Sequence, residues 1–115
     1  MCALDLARAG ADVRGVAIFH GVLKPPGNTA DNKIKAKVIV FHGWEDPFRP
    51  PEDLVALGRE LSEADADWQI HAYGKTMHAF MARSANNPGT GVMYNEISAR
   101  RALASLKTFL PEVLA

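Results

Sequence analysis

Two apolar runs do most to limit what this chain can fold into. Val16-Ala-Ile-Phe19 and Val38-Ile-Val-Phe41 are continuous rather than alternating. A strand with one wet face alternates apolar and polar side chains, whereas a strand covered on both faces does not. Val13–His20 and Lys37–His42 therefore read as buried parallel strands, and Trp68–Tyr73 reads as a third. Between and around them lie helical patterns. Residues 2–9 place Ala3, Leu4 and Ala7 on one face, with Gly10 as a stop. No Ser, Thr, Asp or Asn cap precedes that helix, so it reads as cut rather than started. Glu52–Glu63 repeats Leu54, Leu57 and Leu61 at helical spacing behind two acidic residues in its first turn. Residues 92–113 are expected to form a last helix with Ala99, Leu103, Leu106, Leu110 and Val113 on its buried stripe. Residues 21–36, Gly43–Pro51 and Gly74–Gly91 read as loops, punctuated by Pro, Gly and Asn.

The order helix, strand, strand, helix, strand, helix implies crossovers between parallel strands. The expected fold is α/β and three-layered. It has a short, mostly parallel sheet of about three strands with helices on both faces, in one domain spanning residues 1–115. Three strands is few for such a sheet. Thirteen basic and thirteen acidic residues cancel, and no basic stripe stands out, so no nucleic-acid partner is expected. Cys2 is the lone cysteine, which excludes a disulfide framework. No apolar run has the length of a membrane span, and the opening Met-Cys-Ala-Leu-Asp-Leu-Ala-Arg is too short and charged for a signal peptide. A cytoplasmic location with no membrane partner is the expectation.

Chemistry is expected at the carboxyl ends of the strands, where open α/β sheets gather their functional groups. Asp46 follows the second strand and His78 follows the third. An Asp accepting the imidazole Nδ1–H would fix the tautomer and stabilise the imidazolium. A plainer reading exists for each: Asp46-Pro47 is a good turn, and a loop His can simply be solvated. His20 and His42 both end strands in an echoed Phe-His-Gly. With Asp46 they could mimic a metal site, or each could hydrogen-bond backbone at a strand–loop junction. No metal or cofactor is expected. Trp44, Phe48, Met77, Phe80 and Met81 either line an apolar pocket or cover the sheet end as core. Acyl transfer also requires a nucleophile at a strained turn. Cys2 has no Gly-x-Cys-x-Gly turn and lies in the opening helix; Ser62, Ser84, Ser98 and Ser105 lack elbow glycines too.

Two segments resemble the C-terminal half of the dienelactone hydrolase family, within the α/β-hydrolase fold. They are Lys37-Val-Ile-Val-Phe-His-Gly-Trp-Glu-Asp-Pro-Phe-Arg-Pro-Pro51 and Trp68-Gln-Ile-His-Ala-Tyr-Gly-Lys-Thr-Met-His-Ala-Phe80. The opening Ala3-Leu-Asp-Leu-Ala-Arg-Ala-Gly-Ala-Asp-Val13 and Phe19-His-Gly21 are also similar. The resemblance implies that Asp46 is the triad acid and His78 the triad base. It also implies a Cys or Ser nucleophile in a G-x-C-x-G-G elbow directly before the opening helix, and no such elbow occurs in these 115 residues. The oxyanion donors and substrate arginines of the family would lie upstream with it.

The expected function is a dienelactone-hydrolase-like fragment, of a carboxylic ester or lactone hydrolase family, that keeps acid and base and is inactive alone. The alternative is a non-catalytic half-domain serving as an oligomeric binding or scaffold module. Either way Val13–His20 would be an exposed edge, with Arg14 its only charge. A homodimer is expected, joined through that edge or by helix exchange.

Overall fold

The computed structural model describes residues 3–19 and 33–114. Its elements run α1 (Ala3–Arg8), β1 (Gly15–Phe19), β2 (Lys37–Gly43), α2 (Pro51–Glu63), β3 (Trp68–Tyr73), β4 (Asn86–Asn87), a 3-10 turn (Pro88–Thr90), β5 (Val92–Met93) and α3 (Glu96–Leu114). Strands β1, β2 and β3 form a parallel sheet in that order, with Val16 beside Val38 and Val40 beside Ile70. The α/β architecture expected from the apolar runs is present, with helices on both faces.

Alternation along the strands explains the two faces. Val16, Ile18, Val38 and Val40 point to one side, where they pack with Leu4 and Ala7 of α1 and Leu54, Leu57 and Leu61 of α2. Ile39 and Phe41 point to the other, where α3 lays down Ala102, Phe109 and Val113. Strand β2 is central and buried from Val38 to Gly43. That is why its sequence shows no polar alternation.

Four expectations need correction. The first strand, expected over Val13–His20, begins at Gly15, and its described part ends at Phe19. The last helix starts at Glu96, not at residue 92. Asn95 caps it, its Oδ1 accepting the Ser98 N–H at 3.0 Å. The buried stripe is Ala99, Ala102, Phe109 and Val113, while Leu103 and Leu110 are exposed. The sheet beneath carries Phe19 stacked on Phe41 at 4.7 Å, in the cluster that also takes Ala102, Phe109 and Val113 of the helix. Finally, the 74–91 loop has structure of its own, since β4 and β5 pair antiparallel across the 3-10 turn. Cys2, His20 and most of the 21–36 loop lie outside the described residues.

A buried cation joins the two helices of one face. Arg8 is 1% exposed, and its Nε and Nη2 donate to the two carboxylate oxygens of Glu60, each at 2.7 Å. Asp5 adds a weaker contact at 3.3 Å. Removing one partner of such a pair leaves a charge stranded in low dielectric. Glu60→Ala is expected to destabilise the fold by about 2 kcal/mol, below the usual range for a fully buried pair because Glu60 is partly exposed and Asp5 remains. Urea titration of both proteins measures it; a loss under about 0.5 kcal/mol would show that the pair is solvated.

Candidate active site

The loop after β2 is placed first by backbone contacts at its near end. Trp44 N–H donates to Tyr73 O at 2.8 Å and Glu45 N–H to Thr76 O at 2.9 Å, which lashes the loop to the end of β3. Asp46 N–H then turns back onto Gly43 O at 3.1 Å. Gly43 is required by this close approach: a Cβ there would sit 2.6 Å from both the Thr76 and Met77 carbonyl oxygens.

His78 is fixed by the small hairpin that the sequence did not suggest. Its N–H donates to Gly91 O at 2.9 Å, and its carbonyl accepts the Met93 N–H at 3.1 Å. Gly91 has φ +82°, and a Cβ on it would collide with Pro47 Cγ. The two loops thus interlock at a glycine. Deeper in, Thr76 is fully buried and shares a 2.7 Å hydrogen bond with Ser98 of α3. Asn95 also donates to Lys75 O at 3.3 Å. The start of α3 therefore anchors the turn that leads to His78.

These supports bring Asp46 and His78 together. His78 Nδ1 donates to Asp46 Oδ2 at 2.7 Å, and the Phe48 N–H donates to Asp46 Oδ1 at 2.8 Å. Both carboxylate oxygens are thus engaged. The Asp46 side chain has no exposure, while that of His78 keeps 26%. A buried carboxylate behind a half-open imidazole is the arrangement that fixes one tautomer, with the proton on Nδ1 and the lone pair on Nε2. Phe48 meets the imidazole edge-on at 5.1 Å between centroids.

The other candidates separate clearly. Trp44 and Phe48 are half exposed at the mouth of the loop, whereas Phe80 is fully buried and Met81 packs against that core. Ser62 accepts from Trp68 Nε1 at 3.1 Å, Ser98 is committed to Thr76, and Ser84 is exposed on the loop. His42 takes the strand–loop role. It is 1% exposed and its Nε2–H donates to Arg49 O at 3.1 Å. Among the described residues no group of three or more His, Cys, Asp or Glu could hold a metal ion.

Burial lowers the His42 pKa below the ordinary imidazole value of 6.5, partly offset by the nearby Asp46 carboxylate. The fold therefore prefers neutral His42. Its contribution is fully present above pH 6.5 and is lost as pH falls, because the unfolded chain takes up a proton that the folded one resists. His42→Gln, which cannot titrate, is expected to flatten the decline in melting temperature between about pH 7 and 5. Parallel declines in the two proteins would show that His42 is not the group responsible.

Among the described residues no helix is long and apolar enough to cross a membrane. A sequence profile of the dienelactone hydrolase family matches residues 1–114. No curated protein sequence matches the chain at comparable stringency. Solved structures do. A dienelactone hydrolase-like promiscuous phosphotriesterase from metagenomic libraries is 28% identical with a TM-score of 0.83, over 96% of this chain and 46% of that one. The structure of m3DLH is 33% identical with a TM-score of 0.85, over 96% of this chain and 47% of that one. The chain thus spans about half the length of these relatives. Through the profile match along nearly its whole length, the chain belongs to the dienelactone hydrolase family.

Proposed function

We propose that this chain supplies the acid–base half of an ester- or lactone-hydrolysing centre, and that it lacks the nucleophile needed to turn over alone. The observation that carries this reading is the 2.7 Å contact between His78 Nδ1 and a fully buried Asp46 carboxylate. With Nδ1 committed to Asp46, Nε2 is the nitrogen that meets a reacting group. It would take the proton of a Cys or Ser as that residue attacks the substrate carbonyl. It would return the proton to the departing alkoxide as the acyl-enzyme forms. Water activated by the same nitrogen would then release the acid. The relative described as a phosphotriesterase supports phosphotriesters as a second substrate class, since general-base attack serves phosphorus as well as carbon.

The test is turnover of an activated aryl ester by the purified chain. Hydrolysis at the rate of free imidazole is expected, because without nucleophile and oxyanion donors only a general base remains. A burst with a trappable acyl group on Cys2 or Ser84 would overturn the claim of inactivity.

A second reading, an oligomeric binding or scaffold module, is favoured by two observations. Among the described residues β1 pairs with β2 on one side and with no strand on its other. Ile97, Leu103, Leu110 and Leu114 are also exposed along α3. We propose that a two-fold dimer covers such surface, with two β1 strands antiparallel and three strands extended to six. Helix exchange is the other route to a dimer. Light scattering at micromolar concentration is expected to give twice the 12.5 kDa chain mass. A folded, soluble 12.5 kDa species would contradict it.

A further inference from the structure

We propose that His42 is a positioning residue for the Asp46–His78 pair, latching the loop that carries Asp46 to the end of β2 through its hydrogen bond to Arg49 O. The proposal rests on the reading of Asp46 and His78 as acid and base. It is tested without any turnover, so its failure and that of the catalytic reading are distinguishable.

The loop from Trp44 to Pro50 has two ends to hold. Its near end is fixed by the Trp44 and Glu45 amides on Tyr73 O and Thr76 O. Its far end leads into α2, whose N-cap, Pro50, has no side-chain hydrogen bond to close it. Between them, Phe48 N–H and Arg49 N–H both point back to Asp46, at 2.8 Å to Oδ1 and 3.3 Å to its carbonyl. These bonds close the turn on itself, and they would move with it if it swung away from the sheet. His42 is different. It sits on the central strand, 1% exposed, and its ring reaches seven residues along the chain to the Arg49 carbonyl at 3.1 Å. It ties the far side of the Asp46 turn to the central, buried strand of the sheet. A strand residue with two side-chain torsions loses little freedom in doing so.

The imidazole suits this place. Its neighbours among the titratable groups are Asp46, Arg49 and His78. A lysine in its position would compete with His78 for the Asp46 carboxylate. A neutral Nε2–H donates to the carbonyl and leaves the carboxylate to His78 and the Phe48 amide.

Two signals read the pair directly in the chain as it stands. One is the low-field proton resonance of an Nδ1–H bonded to a carboxylate. The other is hydrogen exchange at the Phe48 amide, which is protected while Asp46 Oδ1 accepts from it. His42→Leu fills the same core space without a donor, and His42→Gln keeps an N–H at similar reach. Expected are loss of the His78 resonance and exchange at Phe48 faster on the order of tenfold in His42→Leu, with core amides of β2 unchanged. His42→Gln is expected to keep both signals. A folded His42→Leu with both signals intact would overturn the proposal. If His42→Leu does not fold, His42→Met, which also lacks a donor, decides: loss of both signals in a folded Met variant supports the latch, and their retention overturns it.

Discussion

Asp46→Asn is expected to lower kcat by about 10³–10⁴-fold in a complete enzyme built on this chain, by the size of effect that loss of a triad carboxylate has elsewhere. The complete enzyme here means the chain joined behind the front half of a family relative that carries the nucleophile elbow. The reason lies in which atoms the carboxylate serves. The Phe48 N–H donates to Oδ1 at 2.8 Å, so an asparagine would be turned to keep its carbonyl oxygen there. Its NH₂ would then face His78 Nδ1, now 2.7 Å from Oδ2. A donor facing that nitrogen moves the imidazole proton to Nε2. The base would present an N–H where it needs a lone pair. Shape and packing change little, so the melting temperature is expected to hold while the pH–rate profile collapses. A loss of less than about tenfold would mean that His78 does not rely on Asp46 for its tautomer.

Gly43→Ala is expected to have the largest effect on structure. The new methyl would lie 2.6 Å from two backbone carbonyl oxygens, those of Thr76 and Met77. Neither can swing aside as a side chain would. Thr76 is held by Ser98 at 2.7 Å, and its carbonyl accepts the Glu45 amide at 2.9 Å. The strain must therefore move either the turn after β3 or the end of β2, and each carries one member of the pair. A cost of about 3 kcal/mol is expected, at the upper end for overpacking, and a drop in melting temperature on the order of 10 °C. The His78 low-field resonance should vanish with it. A Gly43→Ala protein that melts within about 2 °C of the parent would show that the loops have room the distances deny.

How much of this was legible in the sequence depends on the range of the interaction that decides each element. Strand β3 was readable to the residue, and β2 and α2 to within one, because continuous apolar runs and the Leu54, Leu57, Leu61 repeat are local signals. Asp46 and His78 were readable as candidates because strand ends mark the functional edge of such a sheet. The phase of α3 was not readable. Ala99-Leu103-Leu106-Leu110-Val113 and Ala99-Ala102-Leu106-Phe109-Val113 satisfy helical spacing equally well. The choice between them was made by packing against the sheet and loop residues of that face, Ile39, Phe41 and Phe80 among them, which no local pattern encodes. The Asn95 cap was a visible signal passed over: an Asn directly before the acidic Glu96, at the head of an apolar repeat, marks a helix start. Two-residue strands such as β4 and β5 have no periodicity to find. The pairing of Arg8 with Glu60 spans 52 residues, and the close approaches at Gly43 and Gly91 depend on loops that meet only in the fold.

The central claim is that Asp46 and His78 form the acid–base half of a hydrolytic centre that a nucleophile completes. The measurement that tests it most directly is kcat/KM for an activated aryl ester, compared between the chain alone and the joined protein. The account predicts a gain of at least about 10³-fold on joining, abolished by His78→Ala. A joined protein that is folded, carries the elbow, and hydrolyses the ester no faster than the chain alone would contradict it.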